Sequence, residues 1–391
     1  MIKNKKRNIC VAIFSRANYG SIRKVLVALK KSKKVNLQIL TGGSANIGKY
    51  GLVSDVIRKD NFKVDEDIYF LVDGDTPVTM VKTTGLGMIE TSTALQRLKP
   101  DIVLTVGDRY ETLATVVSAS YMNIPVAHTM GGEITGTIDE SVRHAITKFS
   151  HMHFAASKKA KVNILKMGEN KKNVFHVGCP RIDLVKETLK NKIKNLNKEI
   201  FDGNEGVGQK FDINKDFITV MHYPVTTEYG QNYKHMKQVI KAVNKINIPK
   251  LFFWPNSDAG SEEISTAIRE SREKKTITNS WFIKNLKPEI FFHVLNKTKC
   301  LVGNTSAAIR EGSFIGVPAV SVGTRQEGRE RGKNVISSRC EYNEIYKKII
   351  KQMKKGKRKI RNNIYGQGKA SEKIVKILEK INVKIQKRLM Y

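Results

Sequence analysis

The chain has 391 residues, of which 40% are hydrophobic and 27% charged, a length and composition typical of a globular protein with two domains. No apolar run approaches the roughly 18 residues that a membrane-spanning helix needs, so no membrane partner is expected. The net charge of +34 would suit nucleic-acid binding, but the lysines are spread along the whole chain and aromatic residues make up only 7%. A compositional lysine bias is the simpler explanation, so no nucleic-acid partner is predicted, although the charge would still attract small anionic ligands.

The first half of the chain alternates predicted strands with predicted helices. The apolar runs that predict strands are "NICVAIFS", "VNLQILTG", "DIVLTVGD" and "IPVAH". Helical patterns lie between them in "YGSIRKVLVALKKS", "MIETSTALQRLKP" and "YETLATVVSASYM". This alternation predicts an α/β fold with a parallel, doubly wound sheet.

A second series of the same kind begins near Asp216, with strands predicted in "FITVMH", "KLFFWP", "CLVGN" and "PAVSVG". The domain boundaries follow from these two series. We predict a first Rossmann-like domain over 1–185, a Lys/Asn/Gly-rich linker or insertion over 186–215, and a second Rossmann-like domain over 216–365. Residues 366–391 are predicted to form a terminal amphipathic helix, through "ASEKIVKILEKINVKIQKRL", that packs back on the first domain.

The N-terminus and the cysteines allow a prediction of the cellular compartment. The basic start leads directly into a strand and lacks a small-residue cleavage site, so no signal peptide is predicted. Cys10, Cys179, Cys300 and Cys340 lie far apart, without the spacing of a metal site. The sequence therefore predicts a reduced, cytoplasmic protein without a metal.

Ligands of open parallel sheets bind at the carboxyl ends of the strands, so the residues just after each predicted strand are the candidates for a site. In the first domain Asp108 ends one strand, and Glu133 and Asp139 lie in the loop "HTMGGEITGTIDE" after another. Carboxylates in one cleft can divide into an acid and a base, and the adjacent glycines would let the backbone approach a ligand. Alternatively, Asp139 or Glu140 is only the N-cap of the following helix.

Candidate phosphate ligands follow strands in both domains. Arg16 and Arg109 do so in the first domain, and Arg325 does so in "GTRQEGRERG" of the second domain. The alternative for at least one of the three arginines in that motif is a solvated basic loop. Asn256 and Asp258 are further candidates, in the strand-end motif "WPNSDAG".

Two more strand ends of the second domain carry candidates. In "VGNTSAAIREG", Thr305 and Ser306 would place hydroxyl groups and free N–H groups at a helix N-terminus that attracts phosphate, and Glu311 could accept hydrogen bonds from a ribose. Ordinary N-capping is the alternative. His222 ends "FITVMH" and could donate to a diphosphate or transfer a proton, with a satisfied core histidine as the alternative.

Taken together, eight motifs resemble one family. They are "SRANYG", "GDRYETL", "GGEITGTIDESVRHAITKFSHMHF", "VGCPRID", "HYPVTTE", "WPNSDAG", "GNTSAAIREG" and "GTRQEGRERGKNVI". In this order they resemble the hydrolysing nucleotide-sugar 2-epimerases of the sialic-acid pathway. The resemblance runs from about Arg7 to Gly368 and includes no kinase domain.

The resemblance implies two Rossmann-like domains facing a cleft in the glycosyltransferase-B arrangement, a homo-oligomer (dimer or tetramer) and no redox cofactor. It implies that UDP-N-acetylglucosamine is converted to N-acetylmannosamine and UDP in nonulosonic (sialic-type) acid biosynthesis. The route is elimination of UDP to a glycal, then addition of water at C1 and protonation at C2. Asp108 and Asp139 match acid–base positions of the family.

The remaining matched positions concern the nucleotide sugar. Arg16, Arg109 and His222 match substrate and phosphate positions of the family. The UDP site is matched by Thr305, Ser306, Glu311 and Arg325.

Met130 departs from the family pattern, because sialic-acid members carry a glutamate in "HIEGGE" where this chain has "HTMGGE". Either Glu133 supplies the missing carboxylate, or the substrate is UDP-2,4-diacetamido-2,4,6-trideoxyglucose of the legionaminic-acid route. The rest of the motif favours UDP-N-acetylglucosamine. A glycosyltransferase of the same fold is a further alternative, and the carboxylate set in "GDRYE" and "GGEITGTIDE" argues against it.

Overall fold

The computed structural model describes residues 6–203, 205–255, 258–355 and 362–390. The chain forms two compact units. The first comprises residues 1–133, 138–184 and 365–391, and the second comprises residues 134–137 and 185–364.

The first unit is built on a seven-stranded sheet in which all pairings are parallel. Its strands are β1 (Arg7–Ile13), β2 (Val35–Thr41), β3 (Glu66–Asp67), β4 (Ile102–Val106), β5 (Val126–Thr129), β6 (Met152–Ala155) and β7 (Val174–His176). They lie in the order β3-β2-β1-β4-β5-β6-β7. The central strand β4 is buried along its whole length, as its nearly continuous apolar run predicts for a sheet covered on both faces.

Helices connect these strands. They are α1 (Arg16–Lys31), α2 (Val53–Lys59), α3 (Pro77–Leu98), α4 (Tyr110–Tyr121), α5 (Asp139–Phe149), α6 (Lys158–Lys166) and α7 (Pro180–Thr188). Helix α1 begins at Arg16 because the Ser15 side chain accepts a hydrogen bond from the Asn18 amide, at 3.2 Å. Buried apolar residues of the sheet and of α3, α4 and α5 form one core cluster.

The second unit repeats this plan with one antiparallel edge. Its strands are β8 (Gly206–Gly208), β9 (Ile218–Met221), β10 (Lys250–Phe253), β11 (Ser280–Ile283), β12 (Cys300–Gly303), β13 (Ala319–Val322) and β14 (Val335–Ser338). Their order is β14-β13-β12-β9-β10-β11-β8, and only β8 is antiparallel to its neighbour. The helices are α8 (Leu196–Phe201), α9 (Asn232–Asn244), α10 (Ser261–Glu273), α11 (Pro288–Lys297), α12 (Glu311–Ile315) and α13 (Tyr342–Lys355). The prediction of two doubly wound Rossmann-like domains is confirmed.

Two segments differ from the sequence prediction. Residues 186–215, expected to be a linker or insertion, contribute α8 and the edge strand β8, since Leu196, Ile200 and Phe201 are buried. The terminal helix is shorter than predicted. Helix α14 (Ala370–Leu378) packs on α1 of the first unit, and the described residues 381–390 are not helical.

Tertiary hydrogen bonds explain this shortened helix. The Met390 amide donates to the Gly168 carbonyl at 3.1 Å, and the Lys387 ammonium donates to the Lys148 carbonyl at 2.7 Å. These bonds hold the terminal segment in an extended course, and tertiary context of this kind overrides a local helical pattern.

Each sheet has one point at which the winding reverses. In the first unit it lies between β1 and β4, and in the second between β9 and β12. Open α/β sheets bind ligands at the carboxyl ends of the strands beside such a point. Arg16 and Asp108 follow the first pair of strands, and His222 and Asn304 follow the second pair. None of the helices within the described part of the chain has the length and apolar composition that a bilayer crossing requires.

Candidate active site

A buried arginine organises the carboxylates of the first unit. Arg143 on α5 has no exposed surface. Its Nε donates to Asp108 Oδ2 at 2.9 Å, its Nη2 contacts the same oxygen, and its Nη1 donates to the Glu133 carbonyl at 2.7 Å. The guanidinium thus connects the end of β4 to the loop after β5.

Asp139 also interacts electrostatically with Arg143. Burial opposes the charge of Arg143, but the negative charges of Asp108, Glu133 and Asp139 outweigh it and raise the pKa of the guanidinium. Arg143 is therefore a cation at neutral pH. The three candidate carboxylates, of which Asp108 and Asp139 were predicted at acid–base positions, surround one buried positive charge. The residue that carries this charge, Arg143, was not predicted from the sequence.

Local structure explains how these side chains are placed. The Asn18 side chain donates to the Val106 carbonyl at 3.0 Å and accepts from the Phe14 amide, so it links the ends of β1 and β4 just before Asp108. Asp139 is the first residue of α5, one helical turn before Arg143. The N-cap position is Ile138, so the alternative that Asp139 or Glu140 is the N-cap is wrong. Both lie in the first turn, where the helix dipole favours negative charge.

Gly131 and Gly132, in the loop after β5, allow close packing inside the first unit. A Cβ at Gly131 would lie 2.9 Å from Nδ1 of His128, and one at Gly132 would lie 2.3 Å from the Ala160 carbonyl oxygen. Met130 is buried and has a φ of 65°. The loop is thus a tight turn against α6, and this packing explains the glycines without the approach to a ligand that the sequence analysis expected.

The predicted phosphate ligands of the first unit differ in their surroundings. Arg109 pairs bidentately with Glu111, through its Nε at 2.9 Å and its Nη2 at 3.1 Å. Glu111 is buried, so this pair fixes the guanidinium beside the start of α4. Arg16 is half-buried at the first position of α1. The sequence analysis missed Glu111, although its place two residues after Arg109 in "GDRYE" was visible.

His222 lies directly after β9 and is almost fully buried. Burial, followed by the charges of the nearby His235 and Arg325, lowers the pKa of its imidazole to about 3. Nδ1 of His222 has no hydrogen-bond partner among residues that the structure describes. The side chain is therefore a neutral imidazole at physiological pH.

Asn304 connects three strand-end loops in the second unit, and the sequence analysis missed it. Its side chain accepts from the Tyr223 amide and donates to the Tyr223 carbonyl, both at 2.7 Å. Its own carbonyl accepts from Arg325 at 3.3 Å and from Gln326 at 3.0 Å. The segment around His222 is thus tied to the loop that carries Arg325.

The motif after β12 forms a short 3₁₀ turn, Ser306–Ala308, before α12. Thr305 is its N-cap, and its hydroxyl accepts from the Ala307 amide at 3.2 Å. The Thr305 hydroxyl is therefore an ordinary N-cap, the alternative to a phosphate ligand. Glu311 is buried at the start of α12.

The three arginines after β13 divide into two groups. The Arg325 guanidinium lies over the ring of Tyr223, 5.5 Å from its centroid. Arg329 donates to the Gln326 side chain at 2.7 Å, and Arg331 donates to the Gln326 carbonyl at 2.9 Å. Those two hold the loop in shape, so Arg325 is the strongest phosphate candidate of the three.

Asn256 and Asp258 were also predicted as site residues. Asn256 lies outside the described residues, and the Asp258 carbonyl accepts from the Ser261 amide at 3.1 Å beside the start of α10. Across the described ranges, no group of three or more His, Cys, Asp or Glu side chains could hold a metal ion.

Two doubly wound sheets, each with polar and charged residues beside its reversal point, define a two-domain Rossmann-like α/β protein. The chain belongs to the UDP-N-acetylglucosamine 2-epimerase family, whose model matches residues 27–379.

Three relatives are similar over most of this chain and of their own length. The chain is 32% identical to a UDP-N,N'-diacetylbacillosamine 2-epimerase (hydrolyzing) of Legionella pneumophila, over 96% of each chain. It is 32% identical to a GDP/UDP-N,N'-diacetylbacillosamine 2-epimerase (hydrolyzing) of Campylobacter jejuni, over 85% of this chain and 84% of the relative. It is 28% identical to a UDP-N-acetylglucosamine 2-epimerase of Neisseria meningitidis, over 90% and 89%.

A solved structure shares the fold. The UDP-GlcNAc 2-epimerase of Methanocaldococcus jannaschii, in complex with UDP-GlcNAc and UDP, superposes with a TM-score of 0.79 at 19% identity. The match covers 95% of this chain and 99% of the other.

Proposed function

We propose that the protein is a hydrolysing 2-epimerase that converts a UDP-N-acetylhexosamine and water to UDP and the free 2-epimeric sugar. The observation that carries the proposal is the cluster of Asp108, Glu133 and Asp139 around Arg143. The proposed reaction needs groups that remove a proton from C2, return one to the opposite face and activate water. Carboxylates held in fixed positions are suited to these proton transfers.

The proposed steps conserve atoms and charge. A base takes the C2 proton, the C1–oxygen bond breaks, and UDP leaves with the electron pair, so that a glycal with a C1–C2 double bond remains. Water then adds its hydroxyl to C1, and a proton adds to C2 from the opposite face. Asp108 and Asp139 are the proposed acid–base pair, and Glu133 is the third carboxylate. Which of them is the base stays open.

The second unit is proposed to bind the nucleotide. Arg325 is the proposed diphosphate ligand, because the other two arginines of its loop are tied to Gln326. His222 would act as a neutral hydrogen-bond donor rather than as a cation, since burial lowers its pKa to about 3. Ser306 and Glu311 are proposed to contact the phosphate and the ribose. In the first unit, Arg16 is the phosphate candidate, and Arg109 is a weaker one because Glu111 already pairs with it.

Two nucleotide sugars are candidates for the substrate, and a different observation supports each. The sequence analysis favoured UDP-N-acetylglucosamine, which the family description and the Neisseria relative name. The two relatives at 32% identity are named for N,N'-diacetylbacillosamine, which is 2,4-diacetamido-2,4,6-trideoxyglucose. We propose this 6-deoxy sugar as the preferred substrate, because those relatives are more similar and Met130 replaces a carboxylate that the sialic-acid pattern expects.

Parallel assays with both nucleotide sugars test reaction and substrate together. Phosphorus NMR should show release of UDP, and proton NMR should show a free sugar inverted at C2. A nucleotide sugar that is epimerised but still joined to UDP would contradict the hydrolysing reaction. Transfer of the sugar to an added acceptor, without free sugar, would favour the glycosyltransferase alternative.

The ratio of kcat/KM for the two substrates decides the sugar. We expect the diacetamido-trideoxy substrate to be preferred by roughly 5- to 150-fold, the range expected for one unpaired polar group. A preference for UDP-N-acetylglucosamine would refute this substrate assignment and leave the reaction class in place.

A further inference from the structure

Residues 134–137, in the loop after β5, belong to the second unit, although the chain on either side of them belongs to the first. None of these four residues, Ile134, Thr135, Gly136 and Thr137, carries a charge, and Thr135 is buried. The carboxylates of the loop therefore do not account for the packing of these residues. They are called the 134–137 segment below.

Gly136 lies directly on the backbone of the turn that carries Arg325. Its amide donates to the Arg325 carbonyl at 3.2 Å. A Cβ added to Gly136 would lie 2.0 Å from the Thr324 carbonyl oxygen and 3.3 Å from Cβ of Glu327. The φ of Gly136 is not in the left-handed region, so close approach of the backbone, rather than conformation, requires glycine here.

A second glycine, on the opposite stretch of chain, shows the same close approach. Gly328 lies three residues after Arg325 and has a φ of 70°. A Cβ added to Gly328 would lie 2.7 Å from Cγ2 of Ile134. Ile134 thus packs on the backbone at Gly328, while Gly136 packs on the backbone at Thr324. The 134–137 segment therefore contacts both ends of the turn.

The position of the Arg325 guanidinium depends on the shape of this turn. The Glu327 amide donates to the Thr324 carbonyl at 2.7 Å, which closes a four-residue turn with Arg325 at its second position. The guanidinium lies over the Tyr223 ring and donates to the Asn304 carbonyl at 3.3 Å. A side chain is held in a binding geometry only when the backbone that carries it is also held.

We propose that Gly136 is a positioning residue for the proposed diphosphate site. Its amide, and the absence of a side chain, let the 134–137 segment hold the turn in the shape in which the Arg325 guanidinium meets phosphate. Gly136 acts through Arg325 and is not itself a ligand. The inference rests on the proposed function, because it takes Arg325 as the diphosphate ligand.

Isothermal titration calorimetry of the full chain with UDP tests the proposal. Gly136→Ala forces the Thr324 carbonyl to move, so it should raise the dissociation constant of UDP by roughly 10- to 100-fold, as for loss of a charge-assisted hydrogen bond. Gly85→Ala is the matched control, because Gly85 lies within α3 and a Cβ added there would meet no described atom within 4 Å. It should leave UDP binding unchanged.

A double-mutant cycle separates positioning from a general loss of structure. Arg325→Ala alone should weaken UDP binding. Gly136→Ala should then add little to this loss, because the guanidinium through which Gly136 acts is already absent. A glycine that only stabilised the unit would give two losses that add in full. Additive losses would therefore overturn the proposal.

Ile134→Ala provides a second variant that introduces no clash, and it decides the question if Gly136→Ala fails to fold. It removes the side chain that packs on Gly328, so it should also weaken UDP binding. The weakening should again disappear in the Arg325→Ala background. Thermal unfolding checks that each variant is folded at the temperature of the titration.

The same titrations separate this inference from the proposed function. A wild type that binds no UDP would overturn both, and so would an Arg325→Ala variant that binds UDP as tightly as the wild type. If Arg325→Ala weakens UDP binding while folded Gly136→Ala and Ile134→Ala bind as tightly as the control, only the positioning role of Gly136 is refuted.

Discussion

The arrangement of the carboxylates in the first unit depends on Arg143. A guanidinium with no exposed surface is stable only when its donors and its charge are satisfied, and Asp108 and the Glu133 carbonyl do this. The sequence indicated Asp108, Glu133 and Asp139 because ligands of parallel sheets bind at the carboxyl ends of the strands, where these carboxylates lie. It gave no reason to select Arg143 among 70 basic residues, because burial is a property of the fold.

Replacing Arg143 by methionine should lower turnover by at least about 100-fold, since the carboxylates lose the group that positions them. It should also lower the free energy of unfolding of the first unit by about 3 kcal/mol, because the buried ion pair between Arg143 and Asp108 is lost. Arg97→Met is the matched control, as Arg97 makes a similar bidentate pair with Glu66 on the surface. UDP release and thermal unfolding measure the two effects. Wild-type turnover in folded Arg143→Met would remove Arg143 from the site.

His222 should make the stability of the second unit depend on pH. Burial lowers its pKa to about 3, whereas the unfolded chain has the ordinary value of about 6.5. Between these values the unfolded chain binds a proton that the folded chain excludes, so this stabilisation is complete above about pH 6.5 and falls on acidification. From pH 7 to pH 5 the loss should be about 2 kcal/mol.

Urea unfolding followed by tryptophan fluorescence measures this loss, because both tryptophans, Trp254 and Trp281, lie in the second unit. The His222→Asn variant should lose about 2 kcal/mol less than the wild type over the same pH interval. An identical loss in both proteins would show that His222 is not the group responsible.

Among the elements, the central strands of both sheets were predicted from their apolar runs. The buried strands β4, β9 and β12 and their following loops fall where their apolar runs and polar ends indicate. The terminal segment did not follow its pattern, because its course depends on distant partners. His151 contacts the Ile385 carbonyl at 3.0 Å, and Lys387 reaches both the end of α5 and the buried Glu169. No local pattern encodes such contacts.

The terminal segment should therefore stabilise the first unit. Lys387 donates to the carbonyls of Thr147, Lys148 and Ser150 at the end of α5 and pairs with Glu169. Lys387→Met should cost about 1–3 kcal/mol, because it leaves Glu169 and these carbonyls with fewer partners. Lys384→Met is the control, since Lys384 is exposed on the same segment. Differential scanning calorimetry measures both. Equal transition temperatures for the two variants would contradict this role.

In the whole molecule, the topology of each unit accounts for the places of its own candidate residues. Each sheet reverses at one point, and Asp108 and His222 directly follow strands beside these points. The net charge of +34 would draw an anionic nucleotide sugar towards such loops. The buried position of Met130 was not predictable, because it lies in a tight turn whose shape depends on packing against α6.

The most direct test of the central claim is the fate of the C2 hydrogen. In the proposed mechanism, the carboxylates around Arg143 remove one proton at C2 and solvent supplies another. In D₂O, proton NMR of the free sugar should therefore show one deuterium at C2 with inverted configuration. Asp108→Asn and Asp139→Asn should each slow its formation by at least about 100-fold. A product that keeps its original hydrogen at C2, or folded aspartate variants with wild-type rates, would contradict the account.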